Sequence, residues 1–281
     1  MDIVQAIILG LVQGLTEFIP ISSSAHLIVV PWLFNWQDPG LAFDVALHLG
    51  TLVALLIFFA GDWIRLIRAG IASIVERKIG NDVDRRLAWL IVIGCIPGAI
   101  AGVLAESKIE ELFHQPNVGH NAGAMITMAV IIALLGAALF LAERWAKHLR
   151  GMDALSFKDA ILIGLAQAAA IFPGVSRSGS TITAGLALGL TRETAARFSF
   201  LLSAPIIAGA GAKSIFNLMR DGVNSSELVF FGVGFLTAAI SGYLCIRFLL
   251  RFLQRNSTDI FVYYRWLLAA LVIVVVLMRG Q

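Results

Sequence analysis

The chain has 281 residues, of which 59% are hydrophobic and 14% are charged, with a net charge of +3 and a mean hydropathy of +0.87. A soluble globular domain has about 45–50% apolar and about 25% charged residues, so this composition excludes a soluble protein and indicates an integral membrane protein. The basic residues lie in short loops, which favours orientation in a bilayer and argues against nucleic-acid binding.

Six spanning helices are predicted from the long apolar runs of a single membrane domain, 1–281. A spanning helix needs about 20 mostly apolar residues. Runs of this kind lie at 41–60, 87–105, 122–142, 194–213, 227–249 and 261–278. The sequence therefore predicts an all-α, multi-pass membrane protein.

Two further apolar regions are too short to span and are interrupted by polar breaks. The first has runs at 3–19 and 21–36, separated by Pro20 and the triplet Ser22–Ser24. The second has runs at 159–172 and 182–190, separated by PGVSRSGST. Irregular backbone at membrane depth is tolerated only where protein or a water-filled cavity surrounds it. We therefore predict two re-entrant helical hairpins.

The two hairpins are related by a shift of 154 positions. The shift aligns Gly10 with Gly164, Gln13 with Gln167, Ser22 with Ser176, and Ser24 with Ser178. This predicts a duplication, with a first repeat at 1–142 and a second at 157–278, each made of one hairpin and three spans. Three spans are an odd number, so the second repeat is inverted and the two breaks can meet near the middle of the membrane.

The distribution of basic residues predicts which loops face the cytoplasm. The segments 61–86, 143–158 and 250–260 are rich in Lys and Arg, whereas 106–121 carries only Lys108 and 214–226 carries only Arg220. The positive-inside rule places the rich segments in the cytoplasm and both termini outside it. The first hairpin then enters from the outer face.

The first break combines residues suited to phosphate chemistry. Gln13 and Glu17 are four apart and share one helix face. A serine among Ser22–Ser24 can cap the next helix, whose N-terminus attracts phosphate through free N–H groups and a partial positive charge. His26 is expected in the first turn of that helix, where it could relay a proton.

The second break supplies the complementary charge. Ser176, Ser178 and Thr181 offer hydroxyls, and Arg177 offers a guanidinium fork suited to phosphate oxygens. A carboxylate beside an anion site suggests a bridging Mg²⁺ or Ca²⁺ held by Glu17. Ser23 or His26 could attack phosphorus, with the other assisting.

Two structural alternatives stay open from the residues alone. Glu17 could pair with Arg177 purely as a bridge between the two halves. Asp44 and His48 are four apart in the first span, and hydrogen bonds to neighbouring helices account for them without a direct catalytic role.

The two breaks together resemble a known family. QGLTEFIPISSSAH, from Gln13 to His26, and PGVSRSGST, from Pro173 to Thr181, are similar to the two signature motifs of the undecaprenyl-pyrophosphate phosphatases, the bacitracin-resistance family. The resemblance runs over essentially the whole chain. It implies removal of the terminal phosphate of undecaprenyl pyrophosphate outside the cytoplasm of a bacterium, at its plasma membrane, to recycle the cell-wall lipid carrier.

The resemblance also implies roles for individual residues and a divalent cation. Gln13 and Glu17 match the acidic pair of the family, with glutamine in the first place, and would hold the metal. Ser23 and His26 match its nucleophile and proton-transfer residues, without a decision between them. Its phosphate-binding residues are matched by Ser176, Arg177 and Thr181.

A polyprenyl-phosphate transporter or flippase is the alternative function, because inverted repeats with hairpins also serve alternating access. The Ser–His–Arg set favours the enzyme, since a transporter needs no nucleophile. The expected partners are the membrane and a polyprenyl pyrophosphate lipid, and the assembly is open, with a homodimer as one alternative.

Overall fold

The computed structural model describes residues 1–113, 121–221 and 225–279, and in this part of the chain it is helical, with no strand. The helices are α1 (Ile3–Thr16), α2 (Ser23–Leu33), α3 (Leu41–Phe58), α4 (Ala60–Val75), α5 (Val83–Phe113), α6 (Ala122–Trp145), α7 (Phe157–Ala168), α8 (Arg177–Ala187), α9 (Arg192–Asp221), α10 (Ser225–Leu253) and α11 (Asp259–Met278). Short 3₁₀ turns lie at Met152–Ala154 and Ala169–Ile171.

Six helices in the described part are long and apolar enough to cross a membrane: α3, α5, α6, α9, α10 and α11. Each overlaps one predicted run, which confirms the all-α multi-pass architecture. Two predicted loops are shorter than expected, because α5 continues to Phe113 and α9 to Asp221. Residues 114–120 and 222–224 of those loops lie outside the described residues.

Two pairs of short helices, α1 with α2 and α7 with α8, stand where the hairpins are predicted. The apolar run predicted from 182 begins earlier, since α8 starts at Arg177 with Ser176 as its cap. Re-entrant placement in the membrane and the inverted repeat, 1–142 and 157–278, stay predictions.

One helix was missed because its pattern is amphipathic rather than apolar. The segment 61–86, predicted as a loop, contains most of α4. This helix buries Leu66 and Ser73 and exposes isoleucines together with arginines. Trp89 Nε1 in α5 donates to Ser73 Oγ at 2.9 Å and ties α4 to the bundle. Helices of this composition suit a membrane surface.

Glycines allow the first helix of each hairpin to pack closely against a span. In α1, a Cβ on Gly10 would lie 2.7 Å from the carbonyl oxygen of Gly234 in α10. In α7, a Cβ on Gly164 would lie 2.3 Å from the carbonyl oxygen of Gly94 in α5. Small residues permit this backbone approach in membrane helix pairs. The two breaks are thereby held inside the bundle.

A partly exposed arginine and a buried aspartate close the base of the second hairpin. Arg150 donates to both carboxylate oxygens of Asp159, near the start of α7, at 3.1 and 2.6 Å. It also donates to the carbonyl of Leu188, just after α8, at 2.8 Å. The ends of α7 and α8 that lie away from the break are therefore fixed relative to each other.

Candidate active site

Both breaks end in a serine cap with the same unusual backbone. Ser22 has φ 77° and accepts from the N–H of Ala25, and Ser176 has φ 68° and accepts from the N–H of Gly179. Positive φ is uncommon outside glycine, and such strained positions cluster at functional sites. The predicted serine caps are therefore present, at positions that the 154-residue shift makes equivalent.

The two breaks contact each other directly. Arg177, the first residue of α8, donates through Nη2 to Glu17 Oε1 in the first break. Ser178 Oγ donates to the carbonyl of Ile19 at 3.2 Å. The side chains that the sequence placed in separate hairpins thus meet at one point in the bundle.

Glu17 lies at the centre of this meeting point, with its side chain 4% exposed. Its Oε2 accepts from Gln13 Nε2 at 3.0 Å and from Ser23 Oγ at 2.7 Å. Gln13 and Glu17 share a helix face as predicted, and Ser23 is the hydroxyl that the carboxylate holds. Together with Arg177, these contacts bring four of the predicted site residues into one cluster.

His48 belongs to the same cluster, although the sequence favoured a structural role for it. Its Nε2 lies 3.6 Å from Glu17 Oε2, and its Nδ1 donates to the carbonyl of Asp44 at 2.7 Å. The Nδ1 contact fixes the ring so that Nε2 faces the carboxylate. The available signal was an ionisable residue in an apolar run, which marks function by default.

His26 lies in the first turn of α2, as predicted, and its ring nitrogens contact Ser22 and Tyr264 rather than Glu17. Its Nδ1 donates to the carbonyl of Ser22 at 2.6 Å, and its Nε2 lies 2.7 Å from the hydroxyl of Tyr264. A carbonyl can only accept, so in the neutral ring Nε2 carries the lone pair and accepts from Tyr264. The ring also stacks on Tyr264, with centroids 5.6 Å apart. Tyr264 was not predicted.

The hydroxyls of the second break mostly support Arg177. Ser176 caps α8, and its Oγ lies 3.3 Å from Ser178 Oγ. Thr181 is fully buried, donates to the carbonyl of Arg177 at 2.8 Å, and pairs with Ser199 Oγ at 2.6 Å. In this arrangement Thr181 orients the first turn of α8, and its direct contact with phosphate stays a prediction.

A buried arginine of α11, Arg265, holds the backbone of both breaks. It is 1% exposed and donates to the carbonyls of Pro20 and Gly174, each at 3.0 Å. It also donates to the carbonyl of Ile132 in α6 at 3.1 Å. Arg265 was not predicted, although it is the single arginine within the sixth apolar run.

The electrostatics of the cluster favour an anion. Helices α2 and α8 begin at Ser23 and Arg177, and the partial positive charges of helix N-termini stabilise phosphate. The guanidinium of Arg177 adds a full charge beside them. Hydroxyl, carboxylate, guanidinium and imidazole groups within one buried cluster are suited to phosphoryl transfer.

A cation could be accommodated at the Glu17 side of the cluster. Gln13 Oε1 is buried and has no hydrogen-bond partner, and it belongs to the side chain that touches Glu17. The described residues hold no group of three or more His, Cys, Asp or Glu side chains with metal-ligand geometry. Mg²⁺ is commonly bound by one or two protein oxygens together with substrate phosphates, so this donor pair fits it.

The sequence matches one protein family over most of its length. Residues 6–271 match the family described as Bacitracin resistance protein BacA. The matched region includes both breaks, five complete spans, the sixth span up to residue 271, and every residue of the cluster described above.

Relatives of the same length carry one name. The chain is 49% identical over 276 residues to a protein of Thermomicrobium roseum named undecaprenyl-diphosphatase, covering 98% of this chain and 99% of that protein. It is 48% identical over 279 residues to the Moorella thermoacetica protein of that name, covering 99% and 100%. It is 48% identical over 267 residues to the Geobacter sulfurreducens protein, covering 95% and 96%.

Proposed function

The chain belongs to the bacitracin resistance protein BacA family, and on this premise we propose that it hydrolyses undecaprenyl pyrophosphate where its two breaks meet. The products are undecaprenyl phosphate and inorganic phosphate. One observation carries the assignment of residues: Glu17 contacts Ser23 of its own hairpin and Arg177 of the other. The relatives' shared name and the hydroxyl held by a carboxylate favour this hydrolase over a transporter or flippase.

Arg177 binds the pyrophosphate by exchanging its partner. Without substrate, its guanidinium is paired with Glu17. The same guanidinium fork and the N-terminal amides of α2 and α8 can donate to phosphate oxygens. The substrate therefore replaces the Glu17 carboxylate as the partner of Arg177. The ion pair that the sequence allowed as a purely structural bridge then serves as the resting state of the site.

Ser23 is the attacking group that the contacts favour. Its hydroxyl already donates to Glu17 Oε2 at 2.7 Å, which is the contact a general base needs. Oγ bonds to the terminal phosphorus while the bond from phosphorus to the bridging oxygen breaks, and undecaprenyl phosphate leaves. The hydroxyl proton passes to Glu17. Water then hydrolyses the phosphoserine and releases inorganic phosphate.

His26 is suited to the second step. Its Nε2 carries the lone pair, and within the described residues its hydrogen-bond partner is the hydroxyl of Tyr264. A hydroxyl at this nitrogen is replaceable by a water molecule, whose proton Nε2 can accept. In this division of roles Ser23 attacks phosphorus in the first step, and His26 accepts the proton of the attacking water in the second.

We propose that Glu17 and Gln13 hold a divalent cation, Mg²⁺ or Ca²⁺. The support is the unpartnered Gln13 Oε1 beside the Glu17 carboxylate, since hard cations prefer oxygen ligands. When bound, the cation would neutralise charge on the pyrophosphate oxygens. Arg177 and the helix ends do the same for the remaining oxygens.

The site is proposed to face the extracytoplasmic side of the bacterial plasma membrane. His48 contacts Glu17 and lies seven residues after Leu41, about 10 Å along α3. Because the basic segment 61–86 follows α3, the positive-inside rule places the start of α3 outside the cytoplasm. Activity there would recycle the cell-wall lipid carrier and confer bacitracin resistance. A homodimer stays a prediction.

Purified protein in detergent is expected to release phosphate from undecaprenyl pyrophosphate, to lose this activity with a chelator, and to regain it with added Mg²⁺ or Ca²⁺. Phosphate release and the intact lipid are measured together, in detergent and in liposomes. Translocation of intact lipid without phosphate release would contradict the hydrolase and favour the transporter. Full activity in the presence of chelator would contradict the cation site but not the hydrolase function.

A further inference from the structure

Two arginines of α10 lie on its lipid-facing side without an acidic partner. Arg247 and Arg251 are four apart, on one helix face, and both are exposed. Neither takes part in an ion pair with any described Asp or Glu. They are also absent from the cluster around Glu17.

The position of Arg247 is costly unless an anion is present. It lies six residues before Leu253, the end of α10, which is about 9 Å along the helix. A charge at this depth in a lipid-facing position is expensive, and its side chain must extend towards the headgroups. There it approaches Arg251, whose charge has the same sign. An anion between the two guanidiniums removes both penalties.

A groove extends from this arginine pair towards the middle of α10. Its basic end is shallow and open, has a volume of about 440 Å³ and is lined by Leu244, Arg247, Phe248, Arg251 and Phe252. The next part is also shallow and open, has a volume of about 360 Å³ between α3 and α10, and is lined by Ala54, Ile57, Ala239, Ile240, Tyr243 and the shared Leu244. The groove is therefore basic at one end and apolar at the other, which complements a lipid with an anionic headgroup and an acyl chain.

We propose that this groove binds an anionic phospholipid, with its phosphate between Arg247 and Arg251 and an acyl chain along α3 and α10. The basic end leads into the segment 250–260, which the positive-inside rule places at the cytoplasmic face. Anionic lipids give that leaflet a negative potential, which supplies the complementary charge. The lipid substrate is excluded as the resident, because the catalytic site is proposed to open at the opposite face.

The test uses the full chain in nanodiscs of phosphatidylcholine, with and without phosphatidylglycerol. Native mass spectrometry measures the retained lipid, and thermal unfolding measures the stabilisation. The wild type is expected to retain phosphatidylglycerol and to unfold at a higher temperature with it. The R247Q/R251Q variant is expected to bind phosphatidylglycerol at least about tenfold more weakly, since each arginine contributes attraction at the surface.

Two further variants separate this site from general attraction between the protein and the membrane. R68Q/R77Q removes the same charge from exposed positions in and after α4, outside the groove, and is expected to bind like the wild type. Ala239→Phe fills the apolar part and is expected to weaken retention with no change in charge. All variants are expected to release phosphate normally in detergent.

Three results would overturn the proposal. R247Q/R251Q could retain phosphatidylglycerol as tightly as the wild type. R68Q/R77Q could lose as much lipid as R247Q/R251Q, which would indicate general electrostatic attraction. Undecaprenyl phosphate added to the nanodiscs could be retained in the groove while phosphatidylglycerol is not, which would replace the occupant.

Discussion

Replacing Arg177 by alanine is expected to lower kcat/KM for undecaprenyl pyrophosphate by about a thousandfold. The substitution removes a charged donor aimed at the reacting phosphate, and single preorganised donors contribute about 100–1,000-fold to catalysis. It also leaves the buried Glu17 without its ion-pair partner. Arg177→Lys is expected to recover part of the activity, because lysine keeps the charge and loses the fork. The measurement is phosphate release per folded protein.

Arg197→Ala is the matched control for this substitution. Arg197 is also a partly buried arginine of the second half, and it pairs with Asp62 at 2.7 Å, away from the breaks. Its loss is expected to lower the unfolding temperature and to leave kcat/KM near the wild-type value. Equal losses of activity in both variants would show that Arg177 acts only through stability.

Replacing Arg265 by methionine is expected to have the largest effect on the stability of the site. Methionine roughly keeps the volume but leaves the buried carbonyls of Pro20, Ile132 and Gly174 without their donor. A buried unpaired polar group costs about 1–3 kcal/mol. Both breaks are expected to loosen, with a lower unfolding temperature and a kcat reduced more than KM is changed.

Arg279→Met provides the comparison for Arg265. Arg279 also donates to two backbone carbonyls, those of Trp32 and Leu33, but it is partly exposed at the end of α11. Water can replace its hydrogen bonds, so a small effect is expected. If Arg265→Met retains the wild-type unfolding temperature and kcat, Arg265 does not hold the breaks.

The sequence predicted those parts of the site that depend on local chemistry. Apolar runs of about 20 residues predicted the six spans, because hydrocarbon thickness sets helix length. Proline, glycine and serine predicted the breaks, because each acts on its own backbone. The pairing of Glu17 with Arg177 followed from the opposite charges of the two motifs once the hairpins were assumed to meet, whereas the contact of Glu17 with Ser23 came from the structure.

The remaining site residues could not be predicted, because their partners are distant in sequence. His26 and Tyr264 are 238 positions apart, and their contact depends on how α2 packs against α11. From the sequence, Arg265 is a costly charge within a span, because its partners, the carbonyls of both breaks, become visible only in the structure. His48 depends on the distance between α3 and the first break, which no local pattern specifies.

The predictions for α4 and for the start of α8 were wrong for a different reason. An amphipathic helix with arginines among isoleucines has low mean hydropathy, so α4 was assigned to a loop. The start of α8 was placed at 182 because Arg177 and its serine neighbours look like loop residues. A serine cap at Ser176 lets the helix begin within that polar stretch.

The most direct test of the central claim is phosphate release from undecaprenyl pyrophosphate by Glu17→Gln, with Glu143→Gln as control. Both carboxylates are buried and paired with arginine, Glu17 with Arg177 and Glu143 with Arg192, but only Glu17 holds Ser23. Glu17→Gln should fold and release almost no phosphate, whereas Glu143→Gln should stay active in its folded fraction. Wild-type phosphate release by Glu17→Gln would contradict a catalytic site at the two breaks.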